Sequence, residues 1–297
     1  MRALRILALA GLAVAAPASA DDFGREHATN GVLRAALEEG LTVGGVAERL
    51  PRPAFADGMS ADDQRAALKK IAGSDRAAVE MTADSVTAPH ILRTRDIKAG
   101  GATLRALDLY FVIRADLDAI RPDRAFAGFE GAPVEAGNMR FEARVLTADD
   151  LKGAGVAAPG AGGSEWFAHS SGRLLDRIAV EATARVVATK GADSSVFASA
   201  TDPRFGAEGR WPNRWSTIVR KGAAESLGPA QPFAGSVGYV KISRLAAVPG
   251  AAIVESHFVF AEPDAWFDGA PILRSKFGLI AQDQVRRLRR DLRAARR

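Results

Sequence analysis

The sequence predicts an α+β fold, mainly an antiparallel sheet built from hairpins, with helices near both ends and a long C-terminal amphipathic helix packed on the sheet. Three observations predict it. Apolar residues recur at every second position through much of the middle and late chain, the period of a strand with one buried face. Gly-rich turns separate these runs. Spacings of three and four appear near the two ends, the period of an amphipathic helix.

Asn30 to Gly40 reads as a helix with Leu33, Ala36 and Leu37 on one face. Pro51 and Pro53 interrupt regular structure. Ser60-Ala-Asp-Asp63 opens a second helix through a capping box, Leu68 and Ile71 give it an apolar face, and Gly73 ends it. Val86 to Lys98 and Leu104 to Arg114 form a hairpin about Ala99-Gly100-Gly101, with Leu107, Leu109, Phe111 and Ile113 on one face. Met139, Phe141, Ala143 and Val145 alternate with Arg140, Glu142 and Arg144, a half-buried strand. Thr147-Ala-Asp-Asp150 caps a short helix. Ile178 to Val186 and Ser194 to Ala200 read as paired strands about Gly191-Ala-Asp193. Ser236 to Leu245 and Ala251 to Phe260 are further strands, and the last helix spans about Ser275 to Arg296. The expected organisation is a leader over 1–20 and one globular domain over 21–297, with a Gly/Ala-rich loop at 153–163 as the place where it would divide.

The leader is read from Arg2 and Arg5, the apolar run Ile6–Ala16, and Ala18-Ser19-Ala20 before Asp21-Asp22. That order is a secretory signal peptide, cleaved near Ala20. Eleven apolar residues are too few to span a bilayer, which takes about 20. The chain has no cysteine, so it folds outside the cytoplasm without disulfides. The expectation is a periplasmic or secreted protein, from a bacterium with a high-GC genome to judge by its abundant alanine, arginine and glycine.

The whole chain carries 40 basic and 35 acidic residues. Seven arginines and one aspartate fall in Val285–Arg297, so 21–284 is slightly acidic, with 31 basic against 34 acidic residues. The body offers no basic surface for a polyanion, and nucleic acid is not an expected partner.

No short motif assigns chemistry. His27, His90, His169 and His257 lack metal-ligand spacing, and a metal is not expected. There is no nucleophile elbow, G-x-G-x-x-G or Walker loop, and no cofactor is expected. Gly163-Ser164-Glu165 and His169-Ser170-Ser171-Gly172 read as a polar loop opening a strand. Two aromatic groups are the candidate ligand-binding residues. Trp211 and Trp215 lie with Arg210 and Arg214 in Asp202–Ser216, where they would stack a ring or hold an anionic group, or pin a long loop to the sheet. Trp266 and Phe267 follow Glu262-Pro263-Asp264 and would seal the space between the last strand and the last helix.

The order strand (GYVKISRL), strand (AIVESHFVF), acidic-proline-aromatic connection (AEPDAWFDG) and long basic amphipathic helix resembles the closing third of START-type helix-grip lipid-binding domains. The resemblance covers about sixty residues. It implies an antiparallel sheet wrapped around the C-terminal helix and an apolar ligand between them. The first half of the chain shows no such pattern, and export is unusual for that family.

In the last helix Phe277, Ile280, Gln284, Leu288, Leu292 and Ala295 form one stripe, widened by Val285. Arg286, Arg287, Arg289, Arg290, Arg293 and Arg297 fall on the flanks and the far side. This is a core-docking helix with a basic back, and Arg286, Arg287, Arg290 and Arg293 are the candidate contacts to an anionic envelope surface. The leading expectation is an exported, non-enzymatic protein that binds an apolar or amphipathic, lipid-like molecule or an envelope component. The alternatives are a secreted hydrolase whose site assembles only in the fold, and a structural envelope protein without ligand.

Overall fold

The structure, a computed structural model, describes residues 27–115, 117, 134–136, 139–160, 163–222 and 224–295. The expected leader lies outside them. The first described element is α1 (Gly31–Glu38), capped by the Asn30 side chain, which accepts from the Leu33 amide. A small hairpin, β1 (Leu41–Val43) and β2 (Val46–Glu48), follows. Next come α2 (Ala61–Ala72) and α3 (Asp75–Met81). Ser60 caps α2 by accepting from the Asp63 amide, and Gly73 ends it at φ 88°, a left-handed angle that glycine adopts without strain.

The sheet contains β3 (His90–Ala99), β4 (Ala102–Arg114), β5 (Val134–Ala136), β6 (Met139–Val145), β7 (Glu165–Leu174), β8 (Ile178–Lys190), β9 (Ser194–Thr201), β10 (Arg214–Lys221), β11 (Ala224–Leu227), β12 (Gln231–Pro232), β13 (Ser236–Arg244) and β14 (Ala251–Pro263). Its main path runs β3-β4-β14-β13-β9-β8-β7-β6-β5, antiparallel at every step. The helix α4 (Ala148–Gly153) lies between β6 and β7, opened by the expected capping box of Thr147 and Asp150. The sheet is continuous across the 153–163 segment, because β6 and β7 pair directly. The last described element is α5 (Phe277–Ala295).

Three sequence expectations are corrected. Glu165 and His169-Ser170-Ser171-Gly172 are not a loop but part of β7 in the body of the sheet. They lack apolar alternation because most of the residues facing α5 there are small. The segment from Asp202 ends as a loop at Asn213, and Trp215 lies on β10. β9 and β10 occupy successive parts of the same edge of β8, at Ala184–Lys190 and Ile178–Glu181. Asn213 makes the splice: its Oδ1 accepts from the Thr183 amide at 2.7 Å, and its Nδ2 donates to the carbonyls of Asp202 and Phe205. The third correction is Arg289, assigned to the wet side of the last helix. It is buried, and donates to the carbonyls of Val112 at 2.9 Å and Ala88 at 2.5 Å.

Strand alternation divides the core. On one face, Leu104 and Ala106 of β4 pack with α1, and Tyr110 and Val112 pack with α2 and α3. On the other, Leu107, Leu109, Phe111 and Ile113 turn toward α5, as their spacing predicts. The helix packs on β3 and β4 at one edge of the sheet and on β5 at the other. Gln284 donates to the Glu135 carbonyl of β5. The sheet therefore curves around its last helix.

Candidate functional site

The helix-side face of the sheet carries two buried clusters. One gathers Phe111, Ile113, Phe197, Val240 and Ile242 beneath Val285 and Leu288. The other gathers Ile178, Val180, Trp215, Phe233, Phe260, Trp266 and Phe267 beneath Phe277 and Ile280. Truncating any of these large apolar side chains costs roughly 2–5 kcal/mol, so both ends of the helix are firmly docked.

The floor between the clusters differs. Leu107, Leu109, Phe258, Ala168, Ala182 and Ala184 all point toward the helix, yet all are only half-buried. Their neighbours on the opposite face of the same strands, Asp108, His257, His169 and Thr183, are buried. A helix packed flush would seal its own side at least as well. The helix side of the sheet thus keeps a partly accessible stretch of aliphatic and small side chains. Ser170 and Gly172 continue it toward β6, where the Phe141 ring lies so close over Gly172 that a Cβ would overlap it.

A charged network stands at the Phe277 end of this face. Arg105, on the same face as Phe260, donates to both carboxylate oxygens of Glu262 at 2.7 and 2.8 Å and pairs with Asp96 at 2.8 Å. Arg274, just before α5, also binds Asp96 at 2.6 Å. The charges are balanced, as buried charges must be.

The sequence-selected aromatics separate into two places. Trp215, Trp266 and Phe267 join one cluster beneath the helix. Trp266 is stacked on Phe233 with centroids 6.2 Å apart. Its buried indole Nε1 has no hydrogen-bond partner. Trp211 lies on the far face instead, with His169 at 5.2 Å and the guanidinia of Arg144 and Arg210 at 5.0 and 4.8 Å from its ring. Arg210 pairs with Asp150 and Arg214 with Glu181. These arginines are neutralised where they stand. On α5, Arg286 and Arg287 are half-buried, Arg290 is exposed, and Arg293 binds Asp84.

The far face also holds the clusters that could suggest hydrolysis. Ser194 Oγ lies 2.7 Å from His27 Nε2 and 2.5 Å from Asp57 Oδ1. Here the serine sits between histidine and carboxylate, whereas activation of a serine needs the histidine in the middle. His27 turns its other nitrogen to Thr189, and burial, then Lys241, lower its pKa to about 4. His257 Nδ1 is 2.7 Å from Asp108, and both are buried. Burial pushes the His257 pKa down, but the Asp108 hydrogen bond and the nearby Glu255 carboxylate outweigh it and hold it above the ordinary value. His169 meets Thr183 at 2.8 Å, and burial lowers its pKa. Among the described residues no group of histidine and carboxylate side chains has the arrangement of a metal site.

No family model matches the chain, and no curated protein sequence matches it. Solved structures do. The human StarD13 (DLC2) lipid transfer and protein localization domain is 10% identical, with a TM-score of 0.36 over 67% of this chain and 89% of that one. Human STARD10 is 8% identical, with a TM-score of 0.36 over 75% of this chain and 81% of that one. The likeness extends over most of the chain rather than its last sixty residues alone.

Proposed function

We propose that this chain binds an apolar or amphipathic, lipid-like molecule in the gap between the sheet and α5. The half-buried floor of Leu107, Leu109, Phe258, Ala168, Ala182 and Ala184 carries the reading. Accessible aliphatic surface that is roofed by a helix gains about 25 cal/mol for every Å² that a ligand covers. Ligand pockets have this character, mostly apolar with few polar groups. The signal-like N-terminus supports binding outside the cytoplasm as part of the same proposal, and the half-buried Arg287 and the exposed Arg290 of α5 would hold the protein against an anionic surface.

Titration of the purified protein with a fluorescent C12 or C16 fatty acyl probe tests the reading. The expected result is saturable binding with blue-shifted emission, reversed by an unlabelled alkyl chain. Absence of saturable binding by any apolar probe would overturn it.

A further inference from the structure

Near the C-terminal end of α5, three arginines line one cleft together with Ala83, Asp84, Ser85, Val86, Val112 and Ile113. They are Arg114 at the end of β4 and Arg289 and Arg293 on the helix. Arg289 is the unusual member. It is 7% exposed, and all its hydrogen bonds go to backbone carbonyls, those of Val112, Ala88 and Pro89. Arg114 donates to the carbonyls of Pro249 at 3.2 Å and Thr82 at 2.6 Å, and its Nε is buried without a partner. Neither makes an ion pair with a carboxylate among the described residues. Among the described residues that line the cleft the acid is Asp84, which already meets Arg293 at 3.3 Å. Among the described lining residues three arginines thus stand with one carboxylate. Burial, then Arg289 and Arg286, depress the pKa of His90 nearby.

A buried cation without a counter-charge is costly. The helix dipole does not account for it, because its effect falls off within the last turn. Arg289 lies about a turn and a half before the helix end, and Arg114 is not on the helix. Burial lowers the Arg289 pKa to about 10. Guanidinium groups present the donors that match an oxyanion.

We propose that this cleft binds an oxyanion, a phosphate or carboxylate group, between Arg114, Arg289 and Arg293. Ile113 both lines the cleft and belongs to the apolar cluster beneath α5. The cleft and the apolar face beneath α5 thus meet at Ile113, and the inference, which in part rests on the apolar-ligand reading, extends that reading to an anionic head group. A free small anion would use the same donors.

The test measures binding of inorganic phosphate, dodecyl phosphate below its micellar concentration, and dodecanol by calorimetry at constant ionic strength. The proteins are the wild type, Arg289→Gln, Arg114→Gln and Arg293→Gln. Because Arg289 also holds carbonyls, its variant is read only if its circular dichroism matches the wild type, and the other two variants carry the test otherwise. For a head-group site, dodecyl phosphate binds at least tenfold tighter than dodecanol, and the arginine variants lose that advantage while binding dodecanol unchanged. For a free-anion site, inorganic phosphate binds, the variants weaken it at least tenfold, and the alkyl chain adds nothing. Phosphate binding without any alkyl binding supports this site and sinks the apolar-ligand reading. Dodecanol binding as tightly as dodecyl phosphate, with no response to the arginine variants, overturns the oxyanion site and leaves the apolar reading standing. No binding of any probe overturns both.

Discussion

Trp215 meets Trp266 edge-on, with ring centroids 6.0 Å apart and planes at 76°. One residue belongs to a strand at the splice in the sheet, and the other to the turn that precedes the last helix. Their contact joins the two aromatic groups that stand out in the sequence, and it does so in the buried cluster that anchors the Phe277 end of α5.

Trp215 is thus an anchor first. Trp215→Ala should cost about 3–5 kcal/mol, as large aromatic truncations in cores do. Trp211→Ala should cost clearly less, because Trp211 is half-buried on the opposite face. Urea midpoints of the two variants check this, and equal losses would contradict the division of the pair.

Leu288 is 6% exposed within the apolar cluster at the far end of the helix. Leu288→Ala should destabilise the protein by roughly 2–5 kcal/mol. Arg290→Gln, on the exposed side, should stay within about 0.5 kcal/mol, and its effect should appear in salt-sensitive co-sedimentation with anionic vesicles. A Leu288 variant as stable as the wild type would mean that α5 does not dock.

Local signals were legible in the sequence, and signals that depend on distant partners were not. The caps at Ser60 and Thr147 are bonds between residues three apart, and the structure contains both. Alternation in β4 assigned Leu107 to Ile113 to the helix side. β7 carries no strand signal in the sequence because Ala168, Ser170 and Gly172 are too small to register as an apolar face. That smallness is what leaves the floor open. Amphipathic periodicity places Arg289 in solvent, since it cannot see the carbonyls of Val112 and Ala88, 177 and 201 residues away. The approach of Trp215 to Trp266 is equally invisible until the sheet is assembled.

The buried histidines make stability depend on pH. His27 has its pKa lowered to about 4 in the fold, while the unfolded chain titrates near 6.5. Between those values the unfolded state binds a proton that the folded state refuses, so acid favours unfolding. The stability is present above 6.5 and lost as pH falls toward 4. His90 and His169, also lowered, act in the same direction. His257, raised, acts oppositely, contributing stability below 6.5 that is lost as pH rises through its folded pKa. Denaturation midpoints should therefore fall from pH 6.5 to 4, and His27→Gln should flatten that fall. A variant curve parallel to the wild type would show that His27 does not carry it.

The gap beneath α5 makes the sharpest demand on the structure. Ala184 lies on β8 with its side chain toward the helix, beside Ala168 of β7 and Thr201 of β9, and is half-buried. If space lies above it, Ala184→Leu fills that space. The variant should keep the wild-type melting temperature within a few degrees, because added methyl groups meet room rather than packed atoms. It should also bind a fatty acyl probe at least tenfold more weakly, since the side chain occupies part of the ligand's volume. If the helix were flush against the floor, the same substitution would overpack the core and cost about 1–3 kcal/mol, with no change in binding beyond that from unfolding. Melting curves and probe titrations on one protein preparation separate the two. Loss of stability without a selective loss of binding would refute the gap, and with it the assignment of this face as the ligand site.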